Sequence, residues 1–196
     1  MPRPGYGFGS QTGVFEATQK ALIGQATWSK TPACVPTSHI FFAEWFSEMQ
    51  ISELIPLEHV DVRVRVATKT QLLKELSRQT AKITNIDESL VLRALNDREQ
   101  LGSTGVGGGI ALPHARIPGL KQSVGLLMSL ERPIDYGAID EGLVDLVGLL
   151  LLPDDAKSDA NSALACIARR LREPGVAAEL RKAKTAENFY KVLAPN

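Results

Sequence analysis

From Leu146 to Leu152 the chain runs Leu-Val-Gly-Leu-Leu-Leu-Leu and stops at Pro153. Seven apolar positions are far short of the roughly 18–20 needed to cross a bilayer. They do not alternate either, so both faces of the segment must be covered. Extended back to Val144, the run reads as a central strand of a sheet buried under helices on both sides. Val124–Leu130 repeats the pattern, with Glu131-Arg132-Pro133 closing it. A half-buried partner precedes them. Val60, Val62, Val64 and Val66 alternate with Asp61, Arg63 and Arg65, the period of a strand with one wet face.

Helices interleave with these strands. Thr68 is placed to cap a helix whose face is Leu72, Leu73 and Leu76. A second helix starts near Asp87, turns Leu90, Val91, Ala94 and Leu95 inward, and runs to about Arg98. A third spans about Ser158 to Arg172 with Ala163, Leu164, Ile167, Ala168 and Leu171 on one face, before Pro174-Gly175 breaks it. Val176–Arg181 and Thr185–Leu193 close the chain as short helices. Strands alternating with helices predict an α/β fold: a single three-layer domain, its sheet flanked by helices on both faces.

Composition divides the chain near Met49. Residues 1–48 hold six of the 44 charged residues and eight of the eleven aromatics, including Trp28 and Trp45. They show no sustained period, although Phe41, Phe42, Trp45 and Phe46 fall at helical spacing. We read residues 1–48 as an irregular N-terminal extension, or sequence not native to the protein with Met49 as the start. Residues 49–196 are read as the functional domain. The domain carries 19 basic and 19 acidic residues, so no overall field attracts nucleic acid or an anionic membrane. Cys34 and Cys166 form neither a CxxC pair nor a disulfide framework. With no signal peptide visible, the cytoplasm is the expected compartment.

Gly102-Ser103-Thr104-Gly105-Val106-Gly107-Gly108-Gly109 is followed by Ile110-Ala111-Leu112-Pro113-His114. Five glycines in eight residues predict a loop with no regular element, in which backbone approaches something closely. Ile110–Leu112 can form a short strand, which the chain should leave at His114 because Pro113 lacks an N–H. Of the three histidines, His39 lies in the extension and His59 reads as a solvated surface residue. His114 emerges at a strand end beside the glycine loop, where side chains reach a site. Packed or surface histidine is the plainer alternative.

A site histidine can be a base, a metal ligand or a nucleophile. No second His or Cys stands at ligand spacing, so no metal is expected. No GxSxG elbow accompanies Ser103. The glycine run lacks the Lys-Ser/Thr of a phosphate-binding P-loop, and Ile110 stands where GxGxxG needs its third glycine. No cofactor is therefore expected. There remains histidine as a phosphoryl acceptor, a chemistry that needs positioning and charge compensation rather than further covalent groups. Arg98, Ser103 and Thr104 are the local candidates to supply them, against plain readings as a solvated helix-end cation and turn residues.

Arg98-Glu99-Gln100-Leu101-Gly102-Ser103-Thr104-Gly105-Val106-Gly107, with Gly109-Ile110-Ala111-Leu112-Pro113-His114, resembles the motif of the fructose/mannitol-type enzyme IIA domains of the bacterial phosphotransferase system. It is most similar to their nitrogen-regulatory branch, from about Met49 to Leu193. The resemblance implies a mixed sheet between helices and a phosphotransferase with His114 as its phosphohistidine. It implies that Arg98 offsets phosphoryl charge and that Ser103 and Thr104 are supporting hydroxyls. The implied donor is an HPr-like carrier protein (NPr in the nitrogen branch), charged by an enzyme I from phosphoenolpyruvate. The implied role is regulation of target proteins, such as kinases or transporters, by phosphorylation state. Alternatives are a sugar-specific IIA passing phosphate to a IIB protein, and a binding module with vestigial phosphotransfer. One departure stands out: the family's second histidine falls at Ala160, with Asp159 and Asn161 adjacent.

Overall fold

The computed structural model describes residues 51–154 and 159–194. After a short helix α1 (Ile51–Leu54) and a single 3-10 turn (Leu57–His59) comes strand β1 (Val60–Val64). Two helices follow, α2 (Lys69–Thr84) and α3 (Glu88–Gln100). Three short strands, β2 (Gly105–Gly107), β3 (Ile110–Ala111) and β4 (His114–Ile117), precede two long ones, β5 (Val124–Ile134) and β6 (Val144–Pro153). Helices α4 (Asp159–Arg172), α5 (Val176–Lys182) and α6 (Ala186–Leu193) end the described chain.

The six strands form one mixed sheet in the order β1-β5-β6-β3-β2, with β4 also on β6. β5 and β6 are antiparallel, whereas β1 on β5 and both β3 and β4 on β6 are parallel. The apolar run is thus central, with strands on both edges. Its residues alternate between two cores. Val147, Leu149 and Leu151 pack with Leu72, Leu73, Leu76, Val91 and Leu95 of α2 and α3. Leu146, Leu150 and Leu152 pack with Ala163, Ile167, Leu171, Leu180 and Phe189 of α4 to α6. Each such side chain contributes about 1.5–3 kcal/mol by leaving water.

The helix starts follow capping chemistry. Thr68 Oγ1 accepts from Gln71 N at 3.2 Å, and Gln71 Oε1 in turn accepts from Ala67 N at 2.8 Å. Asp87 caps α3 by accepting from Ser89 N and Leu90 N. Such caps contribute about 1 kcal/mol each, and those of α2 and α3 fix where the helices start.

Three expectations are corrected. The glycine run does contain regular structure: β2 pairs antiparallel with β3. Gly108 and Gly109 (φ 65° and 80°) make the two-residue turn, a left-handed pair that glycine adopts without steric cost. The chain also does not leave the sheet at His114. β3 and β4 keep one register on β6, Ala111 opposite Val147 and His114 opposite Leu150, so Pro113 only interrupts a single strand. Its carbonyl still accepts from Leu150 N at 3.0 Å. Finally, β5 continues through Pro133 to Ile134, because an irregularity between Ser129 and Ile134 removes the need for a proline N–H.

Candidate functional site

Arg98 lies in the last turn of α3, and His114 begins β4 directly after the proline break. The fold brings them together: Arg98 Nε donates to His114 Nε2 at 3.0 Å. Arg98 Nη1 also donates to the Gly102 carbonyl at 3.1 Å. On the far side of the half-buried ring, Nδ1 lies 2.9 Å from the Leu112 carbonyl. A carbonyl only accepts, so Nδ1 carries the proton and Nε2 presents a lone pair. Burial, reinforced by the Arg98 cation, holds the imidazole pKa below its ordinary 6.5, against upward pulls from the Leu112 carbonyl and Glu99. The site is a neutral imidazole with a defined bare nitrogen and a guanidinium against it.

Ser103 and Thr104 sit on the loop between α3 and β2 and differ in setting. Ser103 is exposed, and its Oγ accepts from Gly105 N at 3.2 Å. Thr104 is 4% exposed, and its Oγ1 donates to Glu99 Oε2 at 2.6 Å. No contact joins either hydroxyl to His114 among the described residues. The Glu99 side chain is only 8% exposed and gathers three further donors. Lys69 Nζ is 2.6 Å from Oε1. Thr104 N donates to the same oxygen at 3.1 Å. The Tyr136 hydroxyl shares one proton between Oε2 at 3.2 Å and Thr104 Oγ1 at 2.9 Å. Lys69 Nζ also stands 4.5 Å over the Tyr136 ring. Burial pulls the Glu99 carboxyl upward, but Lys69 and Thr104 outweigh it and hold the pKa below the ordinary value. Burial pushes the Tyr136 phenol well up, so it stays protonated.

Sequence reasoning singled out neither Glu99, Lys69, Tyr136 nor the Leu112 carbonyl for a role. Glu99 did leave a signal: a carboxylate in the last turn of a helix opposes the dipole and requires local donors. Other readings shift as well. Ile110, Leu112 and Ile117, around the proline and His114, are at most 3% exposed and offer no apolar surface for docking. The exposed large apolar side chains near this loop are instead Leu101 and Ile139, each 85% exposed. Leu101 adjoins Gly102, and Ile139 N donates to the Gly105 carbonyl at 3.2 Å. His59, read as solvated, is half-buried with Nδ1 3.0 Å from the Gly125 carbonyl. Ala160 lies in the first turn of α4, but the side chains of residues 159–161, and all of residues 1–50, lie outside the described residues. No helix among the described residues is long and apolar enough to cross a membrane.

The chain matches the family model described as "Phosphoenolpyruvate-dependent sugar phosphotransferase system, EIIA 2" over residues 53–195. It is 42% identical over 146 residues to the nitrogen regulatory protein of Bradyrhizobium diazoefficiens, covering 74% of this chain and 95% of that one. Among solved structures it resembles nitrogen regulatory protein IIA-Ntr from Neisseria meningitidis, with TM-score 0.70, 30% identity, and 74% and 99% of the two chains covered. The mannitol IIA of Escherichia coli shares the fold, with TM-score 0.61 at 18% identity over 70% of this chain and 96% of that one. The chain belongs to the type 2 enzyme IIA family of the phosphotransferase system, and its mixed sheet between helices is that family's fold.

Proposed function

We propose that this enzyme IIA is a nitrogen-regulatory phosphocarrier that accepts a phosphoryl group on His114 Nε2 from an HPr-like protein. The observation that carries the reading is the state of the His114 ring. Its proton is held on Nδ1 by Leu112, its attacking nitrogen is bare, and Arg98 lies against that nitrogen.

In the transfer the Nε2 lone pair attacks the phosphorus of the carrier's phosphohistidine. The carrier's N–P bond breaks in line, and its electron pair returns to the carrier's ring nitrogen. No proton has to leave His114 first, because Nε2 has none. The Nδ1–H bond to Leu112 persists and stabilises the positive charge that develops on the ring. Arg98 Nε gives up the lone pair, and the guanidinium moves onto the phosphoryl oxygens, whose charge it offsets. Ser103, exposed beside Gly102, accepts from Gly105 N and so keeps its O–H to donate to the same oxygens. Thr104 supports the site from below through Glu99. Leu101 and Ile139 supply apolar contacts for the docking carrier.

Phosphorylation would add about −1.5 to −2 charges to a domain with 19 charges of each sign. That local change alters the grip on regulatory targets such as kinases or transporters. The functional unit in this reading is residues 49–196, in the cytoplasm, with residues 1–48 outside it.

Incubation with phosphoenolpyruvate, enzyme I and an HPr-like carrier tests the proposal. Wild type is expected to take label and His114→Ala to take none. Unlabelled wild type overturns the reading. Onward transfer to a sugar-specific IIB protein would replace regulation by sugar uptake.

A further inference from the structure

We propose that Glu99 is a positioning residue that holds both nitrogens of the His114 ring at once, through Arg98 on one side and through Thr104 and Leu112 on the other. The inference rests on His114 being the phosphoryl acceptor.

The two arms start at one residue. Along the first, Glu99 is fixed by Lys69 of α2 at 2.6 Å, and its chain neighbour Arg98 then delivers Nε to His114 Nε2 at 3.0 Å. Along the second, Thr104 donates its N–H at 3.1 Å and its hydroxyl at 2.6 Å to Glu99. The Thr104 carbonyl accepts from Leu112 N at 2.9 Å. The Leu112 carbonyl then holds His114 Nδ1 at 2.9 Å. The circuit runs through hydrogen bonds from Glu99 to Thr104, Leu112, His114 and Arg98, and closes through the peptide bond between Arg98 and Glu99. Either arm alone would locate one ring nitrogen and leave the ring free to turn. Together they fix the orientation and the tautomer.

Only an ionised carboxylate suits the anchor. Glu99 receives Lys69, the Thr104 N–H and hydroxyl, and the Tyr136 hydroxyl, which matches the roughly four lone-pair sites of a carboxylate. A Gln of the same shape has one acceptor oxygen, and its amide N–H groups would face donors. The side chain is nearly buried, so water cannot replace the lost acceptor.

The test reads the tautomer of His114 in the unphosphorylated protein, from its ring 15N shifts at about pH 8, where an imidazole is neutral. Wild type is expected to show one form, with Nδ1 protonated and Nε2 bare. In Glu99→Gln the other tautomer should appear, and the phosphorylation rate should fall about tenfold or more, as expected for a misplaced nucleophile. Leu171→Ala, a cavity in the opposite core, provides the structural control. It should lower Tm yet keep the wild-type tautomer. If Glu99→Gln does not fold, Thr104→Val removes the hydroxyl arm and should shift the tautomer in the same direction. A folded Glu99→Gln, or failing that Thr104→Val, with the single wild-type tautomer overturns the inference. Wild type that never takes phosphate overturns the phosphocarrier reading instead, whatever the tautomer.

Discussion

Arg98 Nε stands 3.0 Å from His114 Nε2, so a permanent cation lies against the nitrogen whose lone pair does the proposed chemistry. A proton on that nitrogen would meet the guanidinium. Burial and this cation therefore hold the imidazole pKa below 6.5. Between the lowered folded value and about 6.5, the unfolded chain binds more protons than the folded one. Stability from this group thus rises with pH across that window and is complete above it. An NMR titration of His114 should have its midpoint below 6.5. Arg98→Met should move the midpoint up. A wild-type midpoint at or above the ordinary value would contradict the site as described.

Glu99 gives the acid counterpart. Burial alone would raise its pKa, and the Lys69 and Thr104 bonds bring it below 4.5. A depressed carboxylate contributes stability that is present above about 4.5 and lost as pH falls through the folded value. Lys69→Met removes a charge-assisted bond to a nearly buried carboxylate, worth about 1.5–3 kcal/mol. Urea unfolding at neutral pH should show that loss, and the acid transition should move to higher pH. A change within about 0.5 kcal/mol, the range of an ordinary surface substitution, would show that Lys69 is not holding the carboxylate.

The central sheet was legible because Leu146–Leu152 and Val124–Leu130 need cover on both faces, a demand that local sequence states directly. The caps Thr68 and Asp87 were legible for the same reason, since a cap acts within three residues. The hairpin at Gly105–Ala111 was hidden, because glycine weakens the strand signal while permitting the turn that makes the strand. The resumption at His114 was hidden because its partner, Leu150, lies 36 positions on in the chain. Arg98 and His114 carried their own chemistry and motif. Glu99 acquires its role only from Lys69, Thr104 and Tyr136, which three different segments bring to it.

Gly105 and Gly108 separate two reasons for glycine. A Cβ on Gly105 would lie 2.7 Å from Ala138 Cα and 3.2 Å from Tyr136 Cδ1. Backbone cannot yield cheaply, so Gly105→Ala should cost about 1–3 kcal/mol. A Cβ on Gly108 meets nothing within 4 Å, and only φ 65° opposes it. Gly108→Ala should cost about 1–2 kcal/mol, and Gly108→Asn less. Urea unfolding should rank Gly105→Ala as the more damaging. The reverse order would count against the close approach of Ala138.

Ala160 stands where the family's second histidine is expected, in the first turn of α4. An alanine cannot bond a phosphoryl oxygen. If a histidine there gave the phosphoryl group a charge-assisted bond, its loss would cost about 1.5–3 kcal/mol, or roughly 10- to 100-fold in rate. Ala160→His should therefore speed phosphorylation of His114 by that order in a rapid-quench assay. An unchanged rate would mean that this chain compensates elsewhere.

The glycine hairpin is also held from the C-terminal helices. Arg181 donates Nε to Asp145 Oδ2 and Nη2 to the Gly108 carbonyl, each at 2.8 Å. Arg172 Nη2 reaches the Val106 carbonyl at 2.9 Å. Gly108 N donates to Asp140 Oδ2 at 2.8 Å. The Arg181–Asp145 pair is partly exposed (side chains 35% and 22%), so solvent screens it. Its loss should cost no more than about 1 kcal/mol overall. The effect should instead be local, because Arg181 is one of few ties on a tip with no packed side chain at Gly108. Hydrogen exchange on Arg181→Ala should therefore quicken at the Gly108 amide by about fivefold. The amides of Val147 and Leu149, deep in the sheet, should keep wild-type rates. Uniform quickening would mean that Arg181 stabilises the whole domain, and no change at Gly108 would mean that Asp140 alone holds the tip. With the local result, α5 restrains the hairpin whose base presents Thr104 and Leu112 to the site, and the C-terminal helices become part of what keeps His114 in place.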